Sequence, residues 1–111
     1  MLLNQGKTKI ETLLGGYLTK MAVGTGNAAV TGTETSLTEQ KNVSVTSCQV
    51  DYPSQGYVTF NATIDDSVSP MTIQEVGLVD INNNLCYRAV ISAVTKVNGQ
   101  SININYQIKV Q

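Results

Sequence analysis

Three small residues have the spacing of a nucleotide-binding turn. Gly24, Gly26 and Ala29 form the pattern G-x-G-x-x-A directly after a β-like run. In a dinucleotide site this turn must open a helix, because the pyrophosphate rests on the helix's N-terminal amides. The residues that follow, "NAAVTGTETSLTEQKN", are rich in Thr, interrupted by Gly32 and without a helical period. We therefore expect the glycines to permit a sharp turn, and we expect no cofactor.

Other residues that could carry chemistry are sparse. The chain has no histidine, the usual general base and the commonest metal ligand. Cys48 and Cys86 lack C-x-x-C spacing, so we expect two small buried hydrophobes that stay reduced. Asp65, Asp66 and Asp80 lack the alternating spacing of a calcium loop and are expected to form turns. We expect no catalytic residue and no metal ligand, and hence a protein that is not an enzyme.

One carboxylate stands out by its surroundings. Glu75 lies within the apolar run "TIQEVGLVDI", where an unpaired buried carboxylate would cost several kcal/mol. It therefore needs a partner or must reach water. Two sets of partners are open at this point: loop amides around Gly24 and Gly26, or Arg88 across a predicted hairpin.

Charge limits the partners of the chain. Its 111 residues include seven Lys plus Arg against eight Asp plus Glu, which leaves no basic surface for a phosphate backbone or an anionic membrane. No apolar run approaches the ~20 residues that span a bilayer. We expect neither nucleic acid nor membrane as a partner. The outward positions of the last predicted strand are nearly uncharged, which suits contacts between subunits.

The elements that position these residues follow from periodicity. Apolar spacing predicts an N-terminal helix over residues 4–14, with Asn4 as N-cap and Gly15-Gly16 as its stop. Period-two alternation in "YVTFNATI" and "SININYQIKV" predicts half-buried antiparallel strands. In "NVSVTSCQVDY" the alternation changes parity near Thr46 and Ser47, which predicts a β-bulge.

A hairpin is predicted from "TIQEVGLVDI" and "LCYRAVISAV", joined by the turn 82–84. Both strands are apolar on both parities, so we expect both faces to be covered. One face should pack on the helix through Ile10, Leu13 and Leu14, and the other on a second sheet or a neighbouring subunit. The fold class is mainly β: an antiparallel β-sandwich of five to six strands with one N-terminal α-helix. We expect a single domain over 1–111, with the sandwich over about 17–110.

Four segments follow one another in a characteristic order: "IETLLGG", "LTKMAVGTG", "TETSLTEQ" and "MTIQEVGLVDINNNL". Together they resemble the N-terminal domain of bacteriophage tail-collar fibre proteins, over roughly residues 1 to 95. The two sharper motifs are Val23 to Gly26 and Ile73 to Leu78. Gln74 stands where that family often has a basic residue.

The resemblance implies a virion structural protein without enzymatic activity, a tail-collar, fibre-attachment or adaptor module that joins virion components. Its partners would be other copies of itself, in a symmetric homo-oligomer such as a trimer, and other phage structural proteins. It would assemble in the bacterial host cytoplasm and reside in the virion. The candidate structural and interface residues are Gly24, Gly26, Glu75, Gly77 and Arg88.

A second interpretation is a stand-alone β-sandwich that binds a receptor or a glycan. Tyr52, Tyr57 and Tyr87 could line a platform for a sugar ring. The absence of tryptophan from the sequence makes this the weaker interpretation.

Overall fold

A computed structural model of the chain describes residues 3–50 and 57–109. Within these residues the chain forms one helix and seven strands. They are α1 (Asn4–Tyr17), β1 (Leu18–Gly24), β2 (Lys41–Ser44), β3 (Ser47–Val50), β4 (Tyr57–Ile64), β5 (Met71–Asp80), β6 (Leu85–Lys96) and β7 (Ile102–Lys109).

The strands form two antiparallel sheets. One has the order β2-β1-β5-β6 and the other has the order β3-β4-β7. The predicted β-sandwich with an N-terminal helix is confirmed. It has seven strands in the described residues rather than five or six, because the segment predicted as one bulged strand is two strands in different sheets.

The predicted β-bulge at Thr46 and Ser47 is therefore wrong. β2 pairs with β1. After residues 45 and 46 the chain continues as β3, which pairs with β4 in the opposite sheet. The crossing is held by backbone hydrogen bonds: the Val45 amide donates to the Thr19 carbonyl, and the Thr46 amide donates to the Asn61 carbonyl. The change of parity in the sequence marks the point where the chain leaves one sheet for the other.

The core lies between the two sheets. β4 shows the predicted alternation, since Val58, Phe60, Ala62 and Ile64 are all buried. Each large apolar side chain buried in this way contributes about 1.5 to 3 kcal/mol. The buried members of this cluster are Leu18, Met21, Val23, Val58, Phe60, Ala62, Ile64, Val68, Ile73, Val76, Leu78 and Ile108.

The helix departs from the prediction at both ends. Its N-cap residue is Leu3, whose side chain cannot cap, and it continues through Gly15 and Gly16 to Tyr17. Gly15 serves close packing instead of a stop: a Cβ built there would lie 2.9 Å from the Cys48 Sγ. Because the helix leads directly into β1 at Leu18, the following strand ends it rather than a glycine cap.

The expected packing of the hairpin on the helix is also wrong in part. α1 packs against β1, β3 and β4, and only Leu14 of the three predicted contact residues joins the main core. Ile10 and Leu13 are exposed.

The two strands of the β5–β6 hairpin differ in burial. β5 pairs with β1 on one side and β6 on the other, and it is buried from Glu75 to Asp80. β6 is an edge strand, and its Val90, Ile91 and Val94 are exposed. The expectation that both faces are covered thus fails for β6.

Candidate functional site

A covering loop, residues 25–40, crosses the outer face of the four-stranded sheet. Leu37 of this loop is buried against Ala22, Val79 and the half-buried Leu85, on the side of the sheet away from the main core. The loop also begins and ends at one point, because the Thr25 amide donates to the Thr38 carbonyl at 3.0 Å. Its geometry is therefore fixed from its two ends.

Glu75 holds both ends of the covering loop. Its side chain is 1% exposed, and its Oε2 accepts hydrogen bonds from the Gly26 amide at 2.7 Å and the Thr38 amide at 2.9 Å. β5 places the carboxylate there because Glu75 lies opposite Gly24, the last residue of β1. One oxygen thus fixes two backbone segments that are twelve residues apart in sequence.

Arg88 occupies the other oxygen. Its Nε donates to the Glu75 Oε1 at 2.7 Å, and its Nη2 donates to the Ala28 carbonyl at 2.8 Å. Its Nη1 lies 3.4 Å from the Glu34 Oε2. Both sets of partners that the sequence left open for Glu75 are therefore present together. We call Glu75, Arg88 and the amides of Gly26 and Thr38 the clasp.

The clasp keeps Glu75 ionised. Burial by itself raises the pKa of this carboxyl, but the hydrogen bonds from Arg88 and from the Thr38 and Gly26 amides outweigh it and hold the pKa below its ordinary value. The same contact with Glu75 raises the pKa of Arg88. A carboxylate with three donors and a lowered pKa is a poor proton acceptor, so this arrangement is suited to holding a loop.

The glycines of the clasp are needed for close approach. A Cβ built on Gly24 would lie 2.7 Å from the Glu75 Oε2, and one on Gly26 would lie 2.6 Å from the same atom. Neither glycine has a positive φ. The predicted turn at these residues is thus present, but the physical reason for the glycines is contact with a carboxylate rather than backbone conformation.

Two loop contacts were not predicted from the sequence. The Gln74 Nε2 donates to the Thr25 carbonyl at 3.2 Å, next to the clasp. Glu34 accepts from the hydroxyl and amide of Thr31, which lowers the pKa of Glu34 to about 2. The Gln74 contact could have been found from the sequence, because Gln74 lies beside Glu75 in one of the two sharper motifs. The Glu34 contact lies in a Thr-rich segment that gives no such signal.

The glycine pattern does not have the surroundings of a dinucleotide site. β1 is antiparallel to both of its neighbours, and the described segment 25–40 contains no helix. A parallel strand followed by a helix is what such a site requires. In addition, the Gly26 amide that would face a phosphate donates to Glu75.

Asp80 and Asp65 organise turns. Asp80 Oδ1 accepts from the Asn82 and Asn84 amides at 2.9 and 2.8 Å, as predicted for a turn residue. Asp65 Oδ1 accepts from the Ser67 amide at 2.9 Å in the same manner. Within residues 3–50 and 57–109, no group of three or more His, Cys, Asp or Glu is placed to hold a metal ion.

A buried lysine was missed by sequence reasoning. The Lys96 side chain is fully buried, and its Nζ donates to the Val97 carbonyl at 2.8 Å and to Asp66 Oδ1 at 3.1 Å. The same Asp66 oxygen accepts from the Gly99 amide at 2.8 Å. Lys96 and Asp66 thus tie the turn after β4 to the turn after β6. A single lysine at a strand end carries no sequence signal for such burial.

The two cysteines have different surroundings. Both are free thiols; Cys48 is half-buried against the core, whereas Cys86 is exposed. The expectation of a buried hydrophobe is thus wrong for Cys86. Burial raises the pKa of both thiols, and the nearby Asp80 carboxylate also raises that of Cys86.

The tyrosines do not form one platform in the described residues. Tyr87 packs against the main core, and the Tyr57 ring lies 5.7 Å from the Lys109 Nζ. Tyr52 falls outside the described residues.

No helix within the described ranges has the length and apolar character needed to cross a bilayer.

Comparison with known proteins adds no relative. Searches against protein families, curated proteins and solved structures gave no match to this chain. Its function must therefore be inferred from its own residues and their geometry.

Proposed function

We propose that this chain is a structural protein of a bacteriophage virion, an oligomeric tail-collar, fibre-attachment or adaptor module without enzymatic activity. In this proposal it assembles in the host cytoplasm, associates with copies of itself in a symmetric homo-oligomer such as a trimer, and joins other virion proteins.

One observation carries the proposal. The two sharper motifs of the resemblance, Val23 to Gly26 and Ile73 to Leu78, are distant in sequence yet meet in the clasp through Glu75 and Gly26. Gly77, from the second motif, lies directly opposite Arg88 in the β5–β6 ladder. The shared residues thus have a common structural task, which is the fixing of the covering loop, and this supports a real relationship over a chance match of short patterns.

The surface supports assembly in a second way. Several large apolar side chains are exposed on α1 and on β6, including Leu13 and Ile91. A chain with seven basic and eight acidic residues has few charges to desolvate when copies meet. Such surfaces are typical of proteins that bury part of their exterior against partners.

The test is an inventory of purified virions. Particles from a culture that produces this chain are purified through a density gradient, and mass spectrometry counts its copies against the major capsid protein. The proposal expects the chain to co-purify at a fixed number of copies per particle, while an abundant host ribosomal protein is depleted. Its absence from particles that contain the other virion proteins would contradict the proposal.

A glycan array separates the proposal from the stand-alone binding protein. The virion module is expected to give no sugar-specific signal. A signal that is lost in Tyr57→Ala would favour the receptor- or glycan-binding interpretation instead.

A further inference from the structure

Helix α1 turns its apolar side to the solvent. Leu3, Ile10, Leu13 and Tyr17 are 64%, 38%, 70% and 45% exposed. At 3.6 residues per turn these four positions fall within an arc of about 80°. They therefore form one continuous apolar strip along the outside of the helix, which we call the ridge.

The opposite side of the helix, which faces the sheets, is small or polar. Glu11 is fully buried there, and Gly15 lies against Cys48. Leu14 contributes a large apolar side chain on this side, where it is half-buried. A surface helix ordinarily buries its apolar stripe against its own core. This helix exposes most of its stripe, which indicates that another surface covers it.

An apolar groove lies between the edges of the two sheets. Its walls include Ala89 and Ile91 from β6 and Ile104 and Tyr106 from β7, and its volume is about 320 Å³. An apolar cavity of about 150 Å³ already admits a benzene-sized group, so this groove has room for more than one aliphatic side chain.

Ridge and groove cannot meet within one copy. The helix packs against β1, β3 and β4. The groove lies at β6 and β7, the strands farthest from β2 and β3 in their sheets. Within residues 3–50 and 57–109, neither surface therefore has its complement in the same copy.

The charges favour a second copy as that complement. From Ala89 to Thr95 and from Ser101 to Ile108 the two strands at the groove contain no charged residue. The ridge residues are uncharged as well. A strongly basic or acidic partner would leave its charges unpaired at either surface, whereas the four ridge residues of the same chain bring none into the groove, and Lys7 and Lys9 lie to either side of the ridge.

We propose that copies of this chain associate head to tail, with the ridge of one copy seated in the groove of the next. The inference rests on the proposed function only for its premise that the chain assembles with itself. A contact between two different surfaces closes into a ring when the rotation per copy allows it, and otherwise continues as an open filament. A closed ring of three would be the symmetric trimer.

The test uses two single variants that each remove one surface. Leu13→Glu places a carboxylate on the ridge and leaves the groove intact; Ile91→Glu does the reverse. Because the carboxylate would be buried in an apolar contact, each variant is expected to weaken self-association by about 100-fold or more. Light scattering and sedimentation velocity over a wide concentration range measure the change.

Mixing the two variants distinguishes this geometry from others. Leu13→Glu still has a groove and Ile91→Glu still has a ridge, so the mixture is expected to form a dimer with one copy of each and nothing larger. A symmetric contact of ridge with ridge, or of β6 with β6, would leave one of the variants assembling by itself.

Two exposed neighbours provide matched controls. Thr12→Glu adds the same charge to α1 outside the ridge, and Ser92→Glu adds it to β6 beside Ile91; both are expected to assemble like the wild type. Circular dichroism checks that every variant is folded, and Ile91→Ser replaces Ile91→Glu if the latter is not.

Several outcomes would overturn the proposal. They are a wild-type chain that stays monomeric, a folded single variant that still assembles, and a mixture of folded variants that forms no dimer. None of them alters the count of copies in purified virions, so failure of this interface and failure of the proposed function are distinguishable.

Discussion

Glu75 and Arg88 form their 2.7 Å ion pair diagonally across the β5–β6 ladder. The residue directly opposite Glu75 is Val90, and the residue directly opposite Arg88 is Gly77. Gly77, two residues after Glu75 in β5, is buried. A Cβ built at Gly77 would lie 2.6 Å from the Leu85 Cδ1 and the Tyr87 carbonyl oxygen. Gly77 is thus required for the close packing of β6 and Leu85 next to the pair.

Neutralising Glu75 should destabilise the protein strongly. In Glu75→Gln the buried Arg88 loses its counter-charge, and the new NH2 group must face either Arg88 or the Gly26 and Thr38 amides, all of which are donors. Breaking one partner of a buried pair costs about 3 to 5 kcal/mol in the free energy of unfolding. Urea denaturation measures this loss of unfolding free energy.

Glu39→Gln is the matched control for that substitution, because Glu39 is an exposed glutamate of the same covering loop. It should change the free energy of unfolding by less than about 0.5 kcal/mol. Equal effects of the two substitutions would contradict the role given to the clasp.

Two glycine-to-alanine substitutions should change the stability of the protein in opposite directions. In Gly26→Ala the new methyl group would lie 2.6 Å from the Glu75 Oε2 and 2.7 Å from the Thr38 Oγ1, so the clasp must open and stability falls by about 1 to 3 kcal/mol. Gly16 is inside α1 with nothing within 4 Å of a built Cβ. Gly16→Ala should therefore raise stability by about 0.5 to 1 kcal/mol. Thermal unfolding followed by circular dichroism tests both signs.

Stability should fall in acid through Glu34 of the covering loop and through Glu75, which holds that loop. The pKa values of Glu75 and Glu34 are lowered in the folded protein, the latter to about 2. As pH falls below the ordinary glutamate pKa of about 4.3, the unfolded chain binds protons first, so the free energy of unfolding decreases. The full contribution is present above about pH 5.

Because other carboxylates also have lowered pKa values, the comparison with Glu75→Gln isolates the clasp. The variant should show a shallower loss between about pH 5 and pH 2 than the wild type in urea titrations at each pH. Parallel curves for the two proteins would show that Glu75 does not titrate with folding.

The buried stem of Lys96 should matter more than its charge. Lys96→Ala removes a fully buried chain and should cost about 2 to 5 kcal/mol, whereas Lys96→Met keeps most of that volume and should cost about 1 kcal/mol. Asp66, which is largely exposed, can be solvated when its partner is lost. Urea denaturation compares the two variants, and a Met variant as unstable as the Ala variant would contradict the prediction.

The thiols should be free and unequal in reactivity. Alkylation of the unreduced protein should modify both Cys48 and Cys86, with the exposed Cys86 first. The pKa of each thiol is raised, so both rates should be low at neutral pH and increase steeply in alkaline solution. Mass spectrometry resolves the order, and a linked pair without any alkylation would contradict the prediction.

Much of the fold was predictable because β4 and β7 follow a strict period of two and so identify their buried sides. Glu75 was recognisable for a similar reason, since a carboxylate in an apolar run must be paired. The sequence did not decide between loop amides and Arg88, because a carboxylate has two oxygens and the structure uses each for a different partner.

The errors have a common physical origin. Residues 4–17 have an apolar stripe, and the prediction assumed that a helix turns such a stripe inward. Gly15 was interpreted as a stop, although its lack of a side chain serves close contact with Cys48. The crossing at Thr46 looked like a bulge because both change the parity of a strand. In each case the same local sequence pattern is compatible with two different structures, and only contacts between residues distant in sequence distinguish them.

The order in which the strands pair has a consequence for how fast the chain folds. β5 and β6 are joined by the turn 81–84 and paired with each other, and the consecutive strands β3 and β4 are paired as well. The central pairings on either side of the core join Met21 with Leu78 and Val58 with Ile108, so long segments must be closed before they form. Folding rates fall as contacts become more distant in sequence. We expect a millisecond-to-second folding reaction in which the β5–β6 hairpin forms early and the last strand, β7, completes the core.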